Sequence, residues 1–177
     1  MTAATTLGID FKKLSLREAL DLAIAIEEEA RDRYQEFAEQ LAGHDTVEAA
    51  DFFARMGRIE EVHRSQIAAR REALFPGEPS GSMKERIYDV EAPEYDAARA
   101  FMSVREALEA AFTSEVKAHA FFVRAIPQLQ DPEVQALFRE LRDEEVEHQE
   151  LVKAEIARLA DDASGPAEAY SDDPVAQ

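Results

Sequence analysis

A chain of 177 residues, almost half apolar and a third charged, can bury the core of one domain but is too short for several. Its formal charge of −18 argues against nucleic acid, because every basic stretch is interleaved with acids. There is no Cys, which excludes disulfides, thiolate-held metals and thiol catalysis, and no apolar run approaches the roughly 20 residues of a membrane span.

Residues 1–14 are an N-terminal lead. They lack a basic start followed by an apolar run, so no signal peptide is expected and a cytoplasmic location is the default. Ser15 and Glu18 are spaced as a capping box and start the first helix, which Gly43 should end. Leu16, Leu20, Ala23, Ala30, Tyr34, Phe37 and Leu41 recur in steps of four and three, as a bundle-facing seam does. One slot in that seam holds Glu27.

His44 reads as a turn residue, and Asp45 with Glu48 as a second capping box. The second helix should reach about Leu74. It turns Phe53, Met56 and Ile67 to the core, with Glu60 and His63 in the seam positions between them. Residues 75–102 form a long connection. Within it, residues 83–90 read as a short helix and Pro93 as the start of another. Such a length lets the chain cross the bundle instead of returning at the adjacent corner.

The pattern then repeats. At an offset of 88, Ser103-Val104-Arg105-Glu106-Ala107-Leu108 matches Ser15-Leu16-Arg17-Glu18-Ala19-Leu20, and Glu115 falls on Glu27. The seam becomes Val104, Leu108, Ala111, Ala118, Phe122, Ala125 and Leu129, with Pro127 expected to distort the last turn. Asp131 and Pro132 start a fourth helix that should reach about Ala160. At an offset of 85 it maps Phe138 onto Phe53, Leu141 onto Met56, Glu145 onto Glu60, His148 onto His63 and Val152 onto Ile67. Residues 161–177, rich in Asp, Ser, Ala and Pro, are expected to be a disordered tail. The fold class is therefore all-α: an antiparallel four-helix bundle over residues 15–160, with hairpins 15–74 and 103–160 and one long crossover.

Two Glu-x-x-His copies, Glu60 with His63 and Glu145 with His148, each place a carboxylate and an imidazole one turn apart on a helix face. Glu27 lies 16 residues before Gly43 and Glu60 lies 15 after Asp45, so both sit roughly 23 Å from the turn. Glu115 and Glu145 lie 16 before and 14 after Asp131, which makes them level in the same way. Paired about a pseudo-twofold axis, the hairpins bring four Glu and two His to mid-bundle. Four buried carboxylates would cost several kcal/mol each without neutralisation. Two divalent cations with neutral His balance them, and oxygen and imidazole donors suit iron or manganese. One Glu from each of two helices plus Glu-x-x-His from each of the others is the arrangement of carboxylate-bridged dimetal bundles.

Glu27-Glu28-Glu29-Ala30-Arg31-Asp32-Arg33-Tyr34 resembles the first-helix motif of rubrerythrins, in which a ligand Glu precedes Ala-Arg-x-Arg-Tyr. Over roughly residues 15–160 the chain resembles the ferritin-like superfamily, and within it the rubrerythrin di-iron domain. That resemblance implies terminal ligands Glu27 and Glu115, bridging ligands Glu60 and Glu145, and terminal nitrogen ligands His63 and His148. It implies two iron ions, with manganese or mixed metals suiting the same donors. The implied activity is reduction of hydrogen peroxide in oxidative-stress defence. A ferroxidase that oxidises ferrous iron with oxygen or peroxide is the alternative, and a metal-stabilised interaction module without turnover is a third reading. The expected partners are a separate electron donor such as a rubredoxin and further copies of the chain, as a homodimer or larger homo-oligomer. Nucleic acid and membrane are not expected.

Two departures stand out. The Cys-rich rubredoxin domain that many rubrerythrins carry is not in this sequence. Their extra third-helix ligand Glu is here Ala118, and the following His119 points about 100° off the seam. Tyr34, two turns after Glu27, is a candidate to hydrogen-bond a ligand or supply an electron; a buried phenol with a satisfied hydroxyl is the plain alternative. Glu28, Glu29, Glu61 and Glu147 face off the seam and should be solvated or paired, Glu29 with Arg33. Glu144, four residues before His148, competes with Glu145; the repeat and the seam spacing favour Glu145.

Overall fold

The computed structural model describes residues 9–43, 47–81, 90 and 103–163, of which 160–163 by backbone alone. The turn residues His44 and Asp45, the helices read at 83–90 and from Pro93, and the tail beyond Ala163 lie outside the described residues, apart from Val90. The helices are α1 (Leu16–Ala42), α2 (Val47–Leu74), α3 (Val104–Ala125) and α4 (Pro132–Ala163). Among the described residues there is no strand, and no helix is long and apolar enough to cross a membrane.

Local sequence explains the helix ends. Ser15 accepts from the Glu18 amide at 3.3 Å while Glu18 accepts from the Ser15 amide at 3.1 Å. Ser103 and Glu106 repeat both bonds at 3.2 and 2.8 Å. These boxes satisfy amides that a helix start otherwise leaves exposed. Asp131 accepts from the Glu133 amide at 2.8 Å and starts α4, which runs on to Ala163, slightly past the expected end. Gly43 follows α1 with a right-handed φ of −79°, so helix termination there does not use glycine's left-handed freedom. Pro127 ends α3 as expected: the helix tightens into a 3-10 turn over Ile126–Gln128. After α2, Pro76 and Gly77 (φ +70°) form a turn closed by the Glu78 amide donating to the Phe75 carbonyl at 3.3 Å.

Each hairpin packs extensively on itself, α1 on α2 and α3 on α4. Between hairpins, Arg55 pairs with Glu155 at 3.8 Å and Arg70 with Glu140 at 2.6 Å. Numbers rising along α2 meet numbers falling along α4, so these helices are antiparallel. With two antiparallel hairpins, α2 and α3 then run in the same direction. The end of α2 and the start of α3 therefore lie at opposite ends of the bundle, as the crossover reading requires.

Two apolar clusters fill the bundle. One holds Leu20, Ile26, Ile67, Phe122, Phe138 and Leu141, and the lead segment adds Phe11, edge-on to Phe121 and Phe138. The other holds Tyr34, Phe37, Leu41, Phe53, Met56 and Val152. Burying such side chains contributes about 1.5–3 kcal/mol each. Gly57 lets α1 approach α2: a Cβ there would sit 3.4 Å from the Arg31 carbonyl oxygen and 3.3 Å from Gln35. Asp21 and Arg71 anchor the start of the crossover. Asp21 accepts from Arg71 Nε at 2.9 Å, Ser80 Oγ at 3.1 Å and the Gly81 amide at 3.0 Å. Arg71 also donates to the carbonyls of Phe75, Glu78 and Pro79.

Candidate metal centre

Between the two apolar clusters lies a polar layer. Glu27 projects into it from α1, Glu60 and His63 from α2, Glu115 from α3, and Glu145 and His148 from α4. Glu60 and Glu115 are fully buried, and Glu27, Glu145 and His148 nearly so. His63 keeps 20% of its side chain exposed, which makes it the histidine that solvent can reach.

The two imidazoles stack with centroids 5.0 Å apart and planes 6° from parallel. His63 Nδ1 lies 4.0 Å from Glu27 Oε2. His148 Nδ1 lies 3.2 Å from Glu115 Oε2 and 3.7 Å from Glu60 Oε1. Donor atoms of Glu115, Glu145 and His148 fall within 4.8 Å of one another, as do those of Glu60, His63 and His148. Glu60 is thus the carboxylate shared between the histidines. The six residues singled out from the sequence all meet in this layer.

Tyr34 is fully buried, stacks on Phe53 at 5.7 Å, and donates its hydroxyl to Glu115 Oε1 at 2.5 Å. The bond is at the short end of the hydroxyl–oxygen range. It holds one oxygen of Glu115 and leaves Oε2 facing His148. Burial and the neighbouring His148 push the His63 pKa below its ordinary value, against a smaller upward pull from Glu147 and Glu115. His63 is therefore held neutral, as a ligating imidazole must be.

A third cluster joins Glu27, His63 and Glu144 within the same 4.8 Å. The repeat spacing favours Glu145 over Glu144, yet α4 brings the Glu144 carboxyl to the Glu27 side of the layer. Its position one residue before the Glu-x-x-His, four before His148, is the signal that pointed to it. Burial pushes its pKa up, the nearby charges being secondary. Off the layer, Glu61 accepts from Arg31 at 2.7 Å and from Arg64 at 2.7 and 2.8 Å, and these cations hold its pKa far below normal. Glu28 lies 3.6 Å from Arg31, Glu147 is exposed and His119 is half-buried.

The layer fits a pair of metal ions. Its donors are carboxylate oxygens and imidazole nitrogens, the set that iron and manganese accept. His63 Nδ1 and Glu144 Oε2 are buried yet have no hydrogen-bond partner, a cost that cation binding would remove. A surface pocket of about 410 Å³, lined by Arg55, Arg58, Ile59, Val62 and His63, opens onto the His63 side.

The rubrerythrin family profile matches residues 18–157, a span that contains all six ligand candidates. Among solved structures the chain is similar to an uncharacterised conserved protein from Magnetospirillum magnetotacticum. The two are 29% identical over 81% of this chain and 95% of that one, with a TM-score of 0.64. A hypothetical protein from Pyrococcus furiosus, 24% identical over 83% of this chain and 91% of that one with a TM-score of 0.53, shares the fold. No curated protein matches. Because that profile spans most of the chain, the chain belongs to the rubrerythrin family of ferritin-like di-iron domains.

Proposed function

We propose that this protein is a di-iron oxidoreductase that reduces hydrogen peroxide. The observation that carries the reading is the buried layer in which four Glu and two His converge around a shared carboxylate, Glu60. Glu27, Glu60, His63, Glu115, Glu145 and His148 would hold two iron ions. When bound, the reduced metal pair would supply the two electrons that, with two protons, convert one peroxide to two waters.

The chain's own residues set the conditions for this. The apolar clusters on either side of the layer shield all of it but the His63 edge from bulk water, which strengthens the charge interactions inside it. Tyr34 fixes the orientation of Glu115 through Oε1. Neutral His63 keeps a nitrogen lone pair available. The pocket beside His63, lined also by Arg55 and Arg58, would give a small uncharged oxidant and its protons a way in. The sequence contains no Cys, so it holds no thiolate iron site to relay electrons, and a separate one-electron donor completes the cycle.

That missing relay also favours a second reading, in which ferrous iron is itself the substrate and is oxidised by oxygen or peroxide. Iron-loaded protein supplied with a reductase and a rubredoxin distinguishes them. Catalytic peroxide loss in large excess over iron is the expected result. Peroxide loss that stops once added ferrous iron is consumed would replace the peroxidase reading with the ferroxidase one.

A further inference from the structure

The two halves of the bundle stop matching at Glu144. The offset of 85 that maps Glu145 onto Glu60 and His148 onto His63 maps Glu144 onto Ile59. One hairpin thus brings an extra carboxylate where its twin has an aliphatic side chain. In α4 this carboxyl is half-buried, its Oε2 is enclosed with no hydrogen-bond partner, and one of its oxygens lies within 4.8 Å of donor atoms of both Glu27 and His63. A surface carboxylate would turn to water. This one is held against two ligand candidates from the opposite hairpin.

We propose that Glu144 is a fifth carboxylate ligand, reserved for the metal position at Glu27 and His63, and that it makes the two positions unequal. The inference rests on the dimetal reading and adds to it. Four Glu balance two divalent ions; a fifth brings the first shell to −5, which one divalent and one trivalent ion balance. The Glu27 and His63 position is then the one that favours the higher charge. It is also the more open one: His63 and Glu144 are half-buried, whereas Glu115, Glu145 and His148 are all buried.

The test uses the full chain, stripped of metal and titrated without oxygen with cobalt(II) and with ferrous iron. The variants are Glu144→Gln, Glu144→Ala and, as a control for net charge, Glu150→Gln, which removes an exposed carboxylate paired with Lys153. Wild type and Glu150→Gln should each take up two ions per chain. Both Glu144 variants should keep one ion at wild-type affinity and bind the other at least 10- to 100-fold more weakly, the range that even outer-shell partners command. After oxidation, a chelator should strip one iron per chain faster from Glu144→Gln than from wild type. Two ions bound by Glu144→Gln as tightly as by wild type would overturn the ligand assignment. Equal weakening of both ions would overturn the asymmetry, with urea unfolding of the metal-free variant as the check that the layer is still folded. A wild-type chain that takes up no metal would overturn the dimetal reading itself.

Discussion

Tyr34→Phe removes a single oxygen and leaves the ring in place. The Phe retains the stacking on Phe53 at 5.7 Å and the burial of the ring among apolar neighbours. What is lost is the hydrogen bond to Glu115 Oε1, between hairpins and inside a fully buried layer. A bond to a charged acceptor contributes about 1.5–3 kcal/mol, with the upper end favoured because Glu115 then keeps a buried oxygen without that donor. With a urea slope of about 2 kcal/mol per M, the unfolding midpoint of the metal-free protein should fall by about 0.7–1.5 M. The slope itself should not change, because no additional surface is exposed. A double-mutant cycle with Glu115→Gln should return a coupling of about 1–3 kcal/mol. A Tyr34→Phe midpoint within about 0.2 M of wild type would refute the bond's place in the layer and leave Tyr34 as a packed ring only.

Three further outcomes follow from the same geometry. Asp21→Asn leaves the buried Arg71 guanidinium without its anion and should cost about 3 kcal/mol, the low end for a broken buried pair because Arg71 keeps three carbonyl acceptors. Burial raises the Asp21 pKa, but hydrogen bonds from Gly81, Arg71 and Ser80 outweigh it and leave the pKa below normal. Its contribution is therefore full above the unfolded value of about 3.9 and is lost as pH falls through the lower folded value. Urea midpoints of wild type and Asp21→Asn should accordingly converge below about pH 4. Phe122→Ala empties a fully buried site facing Phe138 and should lower stability by about 3–5 kcal/mol, or roughly 10 °C in a thermal scan. Metal at 100 times its dissociation constant should stabilise wild type by about 2.7 kcal/mol per site, a gain that Glu60→Ala should abolish in the same scan.

Much of this was legible because it is periodic. The seam from Leu20 to Leu41, the Ser15 and Glu18 capping box with its repeat at Ser103 and Glu106, and the Pro127 break are local patterns, and each appears where its spacing puts it. The level positions of Glu27, Glu60, Glu115 and Glu145 follow from helix rise alone. What stayed hidden depends on contacts between distant segments. Asp21 falls outside the seam, and its burial against Arg71 depends on the return of the chain at Ser80 and Gly81. Leu22 and Ile26 fall outside the seam yet are buried in the cluster that Phe11 joins, because the lead segment reaches the ends of α3 and α4. Glu144 was visible but outweighed, since a repeat argument favours positions that match and this one does not.

The mismatches between the halves are where the site acquires direction. The offset of 88 maps Tyr34 onto Phe122. The first hairpin therefore carries a phenol whose hydroxyl crosses to Glu115, while its twin carries a plain ring that packs against Phe138 in the other apolar cluster. The Glu115 and His148 side gains a hydrogen-bond donor, which withdraws charge from its carboxylate. The Glu27 and His63 side has the Glu144 carboxylate close by. With Glu144 as a ligand, both differences would act in the same sense, leaving one position electron-poor and the other electron-rich within a layer that the backbone repeat would render symmetric. Two equivalent positions would share added electrons evenly, whereas a metal pair biased in this way would hold its more oxidised member at Glu27 and His63. That is also the side on which a surface pocket is lined by His63. The asymmetry of two side chains, Tyr34 against Phe122 and Glu144 against Ile59, is enough to assign different roles to two metal positions on a duplicated scaffold.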